Sequence, residues 1–244
     1  MRTYRIAFGL AALAASTAVC QTRTGAGAAT ETRNVLQAFA GFNQPNDLGL
    51  PCASPCLGAP AGTIIVQPNH FVSSGSAGLY YAVFEANGWT GDLSATFSLS
   101  EAGTIVQTLT VAGSISSEQA YTAVVLSGSA TIPQSAYVGP ATLIATTTAT
   151  PSSGTPFTMK SSATMEVGGA GTRRVVLAFA GISYSPNSES GFPCAAPQCP
   201  LPIPPGTVAV QPAEFQGHFV GGDFYAVYQA DGWLGELAGD AEVA

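Results

Sequence analysis

One set of motifs is written twice in this chain, in the same order, so whatever it folds into must accommodate the same local structure at two places. Val35-Leu36-Gln37-Ala38-Phe39-Ala40-Gly41 returns as Val175-Val176-Leu177-Ala178-Phe179-Ala180-Gly181. Pro51-Cys52-Ala53-Ser54-Pro55-Cys56 returns as Pro193-Cys194-Ala195-Ala196-Pro197-Gln198-Cys199, and Gly62-Thr63-Ile64-Ile65-Val66 as Gly206-Thr207-Val208-Ala209-Val210. The longest match runs from Tyr80-Tyr81-Ala82-Val83-Phe84-Glu85-Ala86-Asn87-Gly88-Trp89 through Leu93, and is met again from Phe224 to Leu237. Val35 to Val175 is 140 positions and Gly62 to Gly206 is 144, so the insertions fall between Gly41 and Gly62, in and around the cysteine loop. Several separated motifs kept in one order mark an internal tandem repeat.

The repeated segments have the grammar of strands. In the Tyr80 run, Tyr81 and Val83 fall on one face and Tyr80, Ala82, Phe84 and Ala86 on the other, the pattern of a central strand covered on both sides. Asn87-Gly88 and Asp231-Gly232 are preferred dipeptides for a two-residue type I′ hairpin turn. Further on, residues 94–99, 104–111, 120–126, 141–147 and 157–167 alternate apolar with Thr- and Ser-rich positions, with Glu101-Ala102-Gly103 as a turn. No segment sustains a helical period with caps. The expectation is an all-β chain, an antiparallel β-sandwich in tandem repeat, with a first unit at 34–170 and a truncated second at 171–244. The second copy stops at Ala244, the counterpart of Ser100, and a half-sandwich exposes an apolar face and bare strand edges. The sequence therefore reads as a piece of a longer repeat protein, with completion by a partner strand as the alternative.

The N-terminus reads as an export signal. Arg2 and Arg5 are followed by an apolar run from Ile6 to Ala15 and by small residues suited to cleavage after Ala18, which makes 1–18 a signal peptide and 19–33 a flexible tether. The mature protein is expected outside the cell, on its surface or in the periplasm. No later apolar run approaches the roughly 18 residues of a spanning helix, so no integral membrane segment is expected once the signal is removed. Charged residues are 9% of the chain, the net charge is −7 and Lys160 is the only lysine, which sets nucleic acid aside as a partner. Cys20, after small residues and before a polar tail, resembles the modified cysteine of a bacterial lipoprotein. Val19 stands where such signals carry Gly, Ala or Ser, and a free thiol is the other reading.

Little in the chain speaks for chemistry. Among the five cysteines, Cys52 with Cys56 and Cys194 with Cys199 form two local pairs beside prolines. In an oxidising compartment these are expected as disulfides, each worth roughly 2 kcal/mol in the chain-entropy account. A zinc site needs four ligands, and only His70 and His218 are available, at positions that do not match between copies. Trp89 and Trp233 read as core anchors; the alternative makes them a sugar-stacking platform together with Asn87, Asp92, Asp231 and Glu236. The four oxygen-bearing residues give two side chains per copy, too few for the six to eight ligands of calcium, so neither metal nor cofactor is expected. There is no nucleophile elbow, zinc-helix or phosphate-loop motif, and an enzyme would need a cleft of converging acids around His70.

Gly62-Thr63-Ile64-Ile65-Val66, the Trp89 turn, Ile132-Pro133 and Gly139-Pro140-Ala141-Thr142-Leu143 together resemble bacterial secreted proteins built from immunoglobulin-like or related β-sandwich repeats, over residues 34–170. The resemblance implies a non-enzymatic surface or periplasmic module with structural, display or adhesive roles, whose partners are glycans or other surface proteins. A carbohydrate-binding module is the alternative function.

Overall fold

Alternation with a period of two, sustained over ten residues or more, builds a sheet with one apolar face, and residues 91–167 sustain it furthest. The computed structural model describes residues 34–44, 51–53, 59, 63–118, 122–168, 174–183, 194–195, 203–204, 206–210 and 223–240. Those residues hold strands and no helix, an all-β fold. The expected signal peptide, the tether, Cys20 and His218 lie outside them. In chain order the strands are β1 (Val35–Asn43), β2 (Cys52–Ala53), β3 (Ile64–Val66), β4 (Phe71–Val72), β5 (Ala77–Ala86), β6 (Gly91–Glu101) and β7 (Thr104–Ile115). They continue with β8 (Thr122–Thr131), β9 (Gly139–Pro151), β10 (Phe157–Val167), β11 (Val175–Ser183), β12 (Cys194–Ala195), β13 (Val208–Val210) and β14 (Asp223–Ala230). All belong to one compact unit, Arg33–Gly235.

Two sheets face each other across the first motif copy in a β-sandwich arrangement. One has the order β1-β5-β8 and the other β4-β10-β9-β6-β7. Between them, Phe42, Tyr80 and Phe84 meet Leu93, Phe97, Leu99, Leu143 and Met165 in a single buried cluster. The alternation of β6 puts Leu93, Ala95, Phe97 and Leu99 inside while Asp92 and Ser94 face water. Each large apolar side chain buried this way stabilises the fold by about 1.5–3 kcal/mol. The pairing is antiparallel except for β4, which runs parallel to β10 over Phe71 and Val72.

The turn expected at Asn87-Gly88 is not a hairpin. Strand β5 already has β1 on one edge and β8 on the other, so no edge remains for β6, and the chain crosses to the opposite sheet. Only Gly88 takes a positive φ, 65°, and Gly232 repeats it at 58°. A type I′ turn needs positive φ at both central residues. That turn lies instead at Ala102 (φ 48°) and Gly103 (φ 82°), where the Glu101↔Thr104 register leaves a two-residue loop between β6 and β7.

In the second copy β11 pairs with β14 as β1 pairs with β5. Val35 lies opposite Ala86 and Val175 opposite Ala230, and both ladders slip at the same place, between Gln37 and Phe39 and between Leu177 and Phe179. The backbone N–H of Asn87 donates to Asn34 O at 2.8 Å, and that of Asp231 to Arg174 O at 2.9 Å.

Candidate functional site

The slip in each ladder decides where the two copies meet. On an unbroken strand Phe39 would share a face with Val35 and Gln37. The bulge at Ala38 reverses the parity: Val35, Ala40 and Phe42 enter the sandwich core, while Phe39 turns to the opposite side. Ala178 does the same for Phe179. The two rings stack with centroids 4.5 Å apart and planes 3° from parallel. Each also meets a tyrosine edge-on, Phe39 with Tyr81 at 6.5 Å and Phe179 with Tyr225 at 6.4 Å. Aromatic pairs of this kind add about 0.5–1.5 kcal/mol beyond the area they bury. Gly41 and Gly181 make room for the tyrosines, since a Cβ on either would collide with the ring below it.

A second element crosses the same seam. Strands β3 and β13 pair antiparallel, with Val208 opposite Val66, Ala209 opposite Ile65 and Val210 opposite Ile64. Strands β2 and β12 flank them, giving a four-stranded sheet in the order β12-β13-β3-β2. Ile65 faces its own counterpart Ala209, and about that pair Ile64 lies opposite the counterpart of Val66 and Val66 opposite the counterpart of Ile64, which is the geometry of an isologous contact made within one chain. Short, continuously apolar strands buried on both faces fit there: Ile64, Ile65, Val66, Ala209 and Val210 are fully buried. Tyr81 and Val83, the second face of β5, pack into this cluster with Phe39 and Phe179.

His70 lies at the edge of the seam, between β3 and β4, and is 1% exposed. Its backbone N–H donates to Gln229 Oε1 on β14, and its ring Nδ1 bonds Thr164 O, which makes Nδ1 the protonated nitrogen. Its carbonyl accepts from Glu166 N at 2.5 Å. Nε2 is buried without a hydrogen-bond partner among the described residues. Burial lowers the pKa of the ring below its usual 6.5, and the bond to Thr164 opposes that shift in part. Burial therefore favours the neutral imidazole, held between the copies. Burial likewise pushes the phenols of Tyr80 and Tyr81 upward, for Tyr80 with a smaller push from Glu101.

The expected ligand-binding residues separate. Trp89 is 8% exposed and packs in the sandwich core, its indole N–H without a partner among the described residues. Asp92, two residues into β6, faces outward. It borders two shallow depressions of about 450 and 420 Å3 edged by hydroxyls from Ser114, Ser152, Thr148 and Thr150, and neither includes Trp89 or Asn87. In the second copy Trp233 is half-buried, and Asp231 and Glu236 are exposed. Both indoles lie against a glycine two residues on, Gly91 or Gly235, where a Cβ would strike the ring.

Cys52 is disulfide-bonded and pairs in register with Ile65; Cys194 takes the matching place opposite Ala209. Cys56 and Cys199 lie outside the described residues. Among the described residues no three His, Cys, Asp or Glu side chains converge on a metal position, and no helix is long and apolar enough to cross a membrane. The seam escaped sequence reasoning, although the two-faced Tyr80 run signalled a second covered surface. Its other signal was the pair of apolar triplets, 64–66 and 208–210, too short to be outer strands of a sandwich. The chain matches no protein-family model, and no curated protein is significantly similar to it.

Proposed function

We propose that this chain is a non-enzymatic protein exported to the cell surface or periplasm, built from tandem immunoglobulin-like β-sandwich units and serving a structural, display or adhesive role. The seam carries the reading. Two copies joined by a shared sheet and stacked phenylalanines hold a fixed mutual orientation, which is what a spacer or display module needs and a flexible tether does not supply. The disulfide at Cys52 supports an oxidising compartment. In this reading Cys52 bridges Cys56 and Cys194 bridges Cys199, residues 1–18 are removed on export, and Cys20 is the candidate for lipidation. Its partners are other surface proteins or glycans.

Expression in a bacterial host with the native N-terminus tests the proposal. The expected product lacks residues 1–18, is accessible to protease added outside the cytoplasmic membrane, and has no free thiol at the four paired cysteines. Uncleaved, fully reduced protein in the cytoplasm would overturn it. The second reading, a carbohydrate-binding module, draws on the hydroxyl-edged surface around Asp92 rather than on the buried Trp89. A glycan panel separates the two: binding abolished by Asp92→Ala favours the second, and binding that survives that change, or no binding, favours the first.

A further inference from the structure

The segment that carries His70 is stitched to the first copy by its backbone. Asn69 N donates to Phe42 O at 2.9 Å, Glu166 N to His70 O at 2.5 Å and Gly168 N to Val72 O at 2.8 Å. The ring adds its own bond within that copy, from Nδ1–H to Thr164 O. The backbone N–H of His70 goes the other way, across the seam to Gln229 Oε1 on β14. A side chain of the second copy therefore closes over a ring that is 1% exposed and whose Nε2 has no hydrogen-bond partner among the described residues. Charged groups on the surrounding elements are Lys160 and Glu166 on β10 and Asp223 on β14, with Arg174 and Asp231 at the neighbouring strand ends; β1, β3, β4 and β11 carry none. None of these acts on the ring, whose pKa is lowered by burial and opposed only by the Thr164 bond.

We propose that His70 is a pH-sensitive latch on the seam: a proton on its ring parts β14 from the His70 segment and loosens the adjoining β3–β13 ladder, while the first sandwich stays closed. The second proton goes to Nε2 and turns it into a donor. A charged donor buried without an acceptor is costly, so the ring has to reach water before it can hold that proton. Moving the ring away from β10 would break the backbone bonds at Asn69, Glu166 and Gly168, whereas moving β14 away breaks the single bond to Gln229. The second copy therefore gives way first. Val208 pairs with Val66, the residue of β3 nearest His70 in sequence, so the loosening enters the ladder at that end. The parted form binds the proton more readily than the closed one, so acid favours parting and neutral pH favours closure.

The inference rests on the seam that carries the proposed spacer role, and its test keeps the two apart. The imidazole resonances of His70 are followed through an acid titration of the whole chain, beside amide exchange corrected for intrinsic rates. Protection of the His70 amide and of Val208, Ala209 and Val210 is expected to fall roughly tenfold per pH unit once the ring titrates, while β6 and β9 keep theirs. His70→Asn keeps an amide donor for Thr164 O and cannot take a charge, so its seam protection is expected to hold from about pH 7.5 to about pH 5. Gln229→Met leaves the ring intact and removes the acceptor, and is expected to release the His70 amide already at about pH 7.5. Seam protection that survives titration of the ring would overturn the latch alone, as would an equal acid loss in His70→Asn or a ring that titrates only when β6 and β9 open as well. A His70 amide still protected in Gln229→Met would overturn it too. Fast exchange at Val208, Ala209 and Val210 already at about pH 7.5 would overturn the seam, and the spacer role with it.

Discussion

Strands β5 and β14 carry the same pattern and pair with β1 and β11 in the same register, yet they differ in what lies over them. Tyr80 and Phe84 of β5 are sealed under the five-stranded sheet, whereas Phe224 and Tyr228 of β14 face outward. Their opposite faces do not differ in this way, because Tyr81 and Val83 and their counterparts Tyr225 and Val227 all contribute to the seam cluster. Strand pairing, the bulge and the turn glycine are therefore properties of the motif itself. Burial of the inner face is not; it comes from a second sheet that the motif does not encode.

The largest test of this contrast is truncation of matched residues. Phe84→Ala is expected to cost about 3–5 kcal/mol, the range for a buried aromatic. Tyr228→Ala, at the matching position, is expected to stay within about 1 kcal/mol, as exposed sites do. Urea titration of both variants measures the difference, and equal costs would break the contrast. Next is the seam, where the copies are expected to behave alike. Phe39→Ala and Phe179→Ala should each destabilise, and a double-mutant cycle should return a coupling of about 0.5–1.5 kcal/mol for the stacked pair. A coupling near zero would mean that the rings do not meet in solution.

A pH dependence should follow from His70. Its pKa is lowered in the folded state, so the unfolded chain binds the proton more readily. The contribution is fully present above the unfolded value of about 6.5 and is lost as pH falls toward and through the lower folded value. His70→Gln should flatten that part of the stability profile, which denaturant midpoints at about pH 7.5 and 5.5 would reveal. The smallest effect is at the turn. Gly88→Ala and Gly232→Ala should each cost about 1 kcal/mol, because both glycines hold positive φ and the penalty is local. Similar costs at both, beside dissimilar costs at Phe84 and Tyr228, would sharpen the distinction between what is local and what is not.

The same distinction explains what could be read from the sequence. The all-β class, the strand runs from 94 to 167 and the two-faced character of β5 follow from alternation, which each strand carries by itself. The hairpin expected at Asn87-Gly88 failed because turn chemistry speaks only of four residues, while the path after β5 depends on β1 and β8 having taken both edges. Asp92 and Trp89 are three residues apart in sequence but lie on opposite sides of a sheet wall, so a joint platform was not to be had from their spacing. The seam was the least legible feature. It arises from a one-residue parity change at Ala38 and Ala178, and a bulge leaves little trace in a hydrophobic pattern.

The central claim is that the two copies clasp each other as one body through β3 and β13, and native-state hydrogen exchange tests it most directly. If the claim holds, the amides of Ile64, Ile65, Val66, Val208, Ala209 and Val210 exchange together, at a protection close to that of β5. Fast exchange at Val208, Ala209 and Val210 while β5 stays protected would contradict it, and would leave two copies joined by nothing more than a tether.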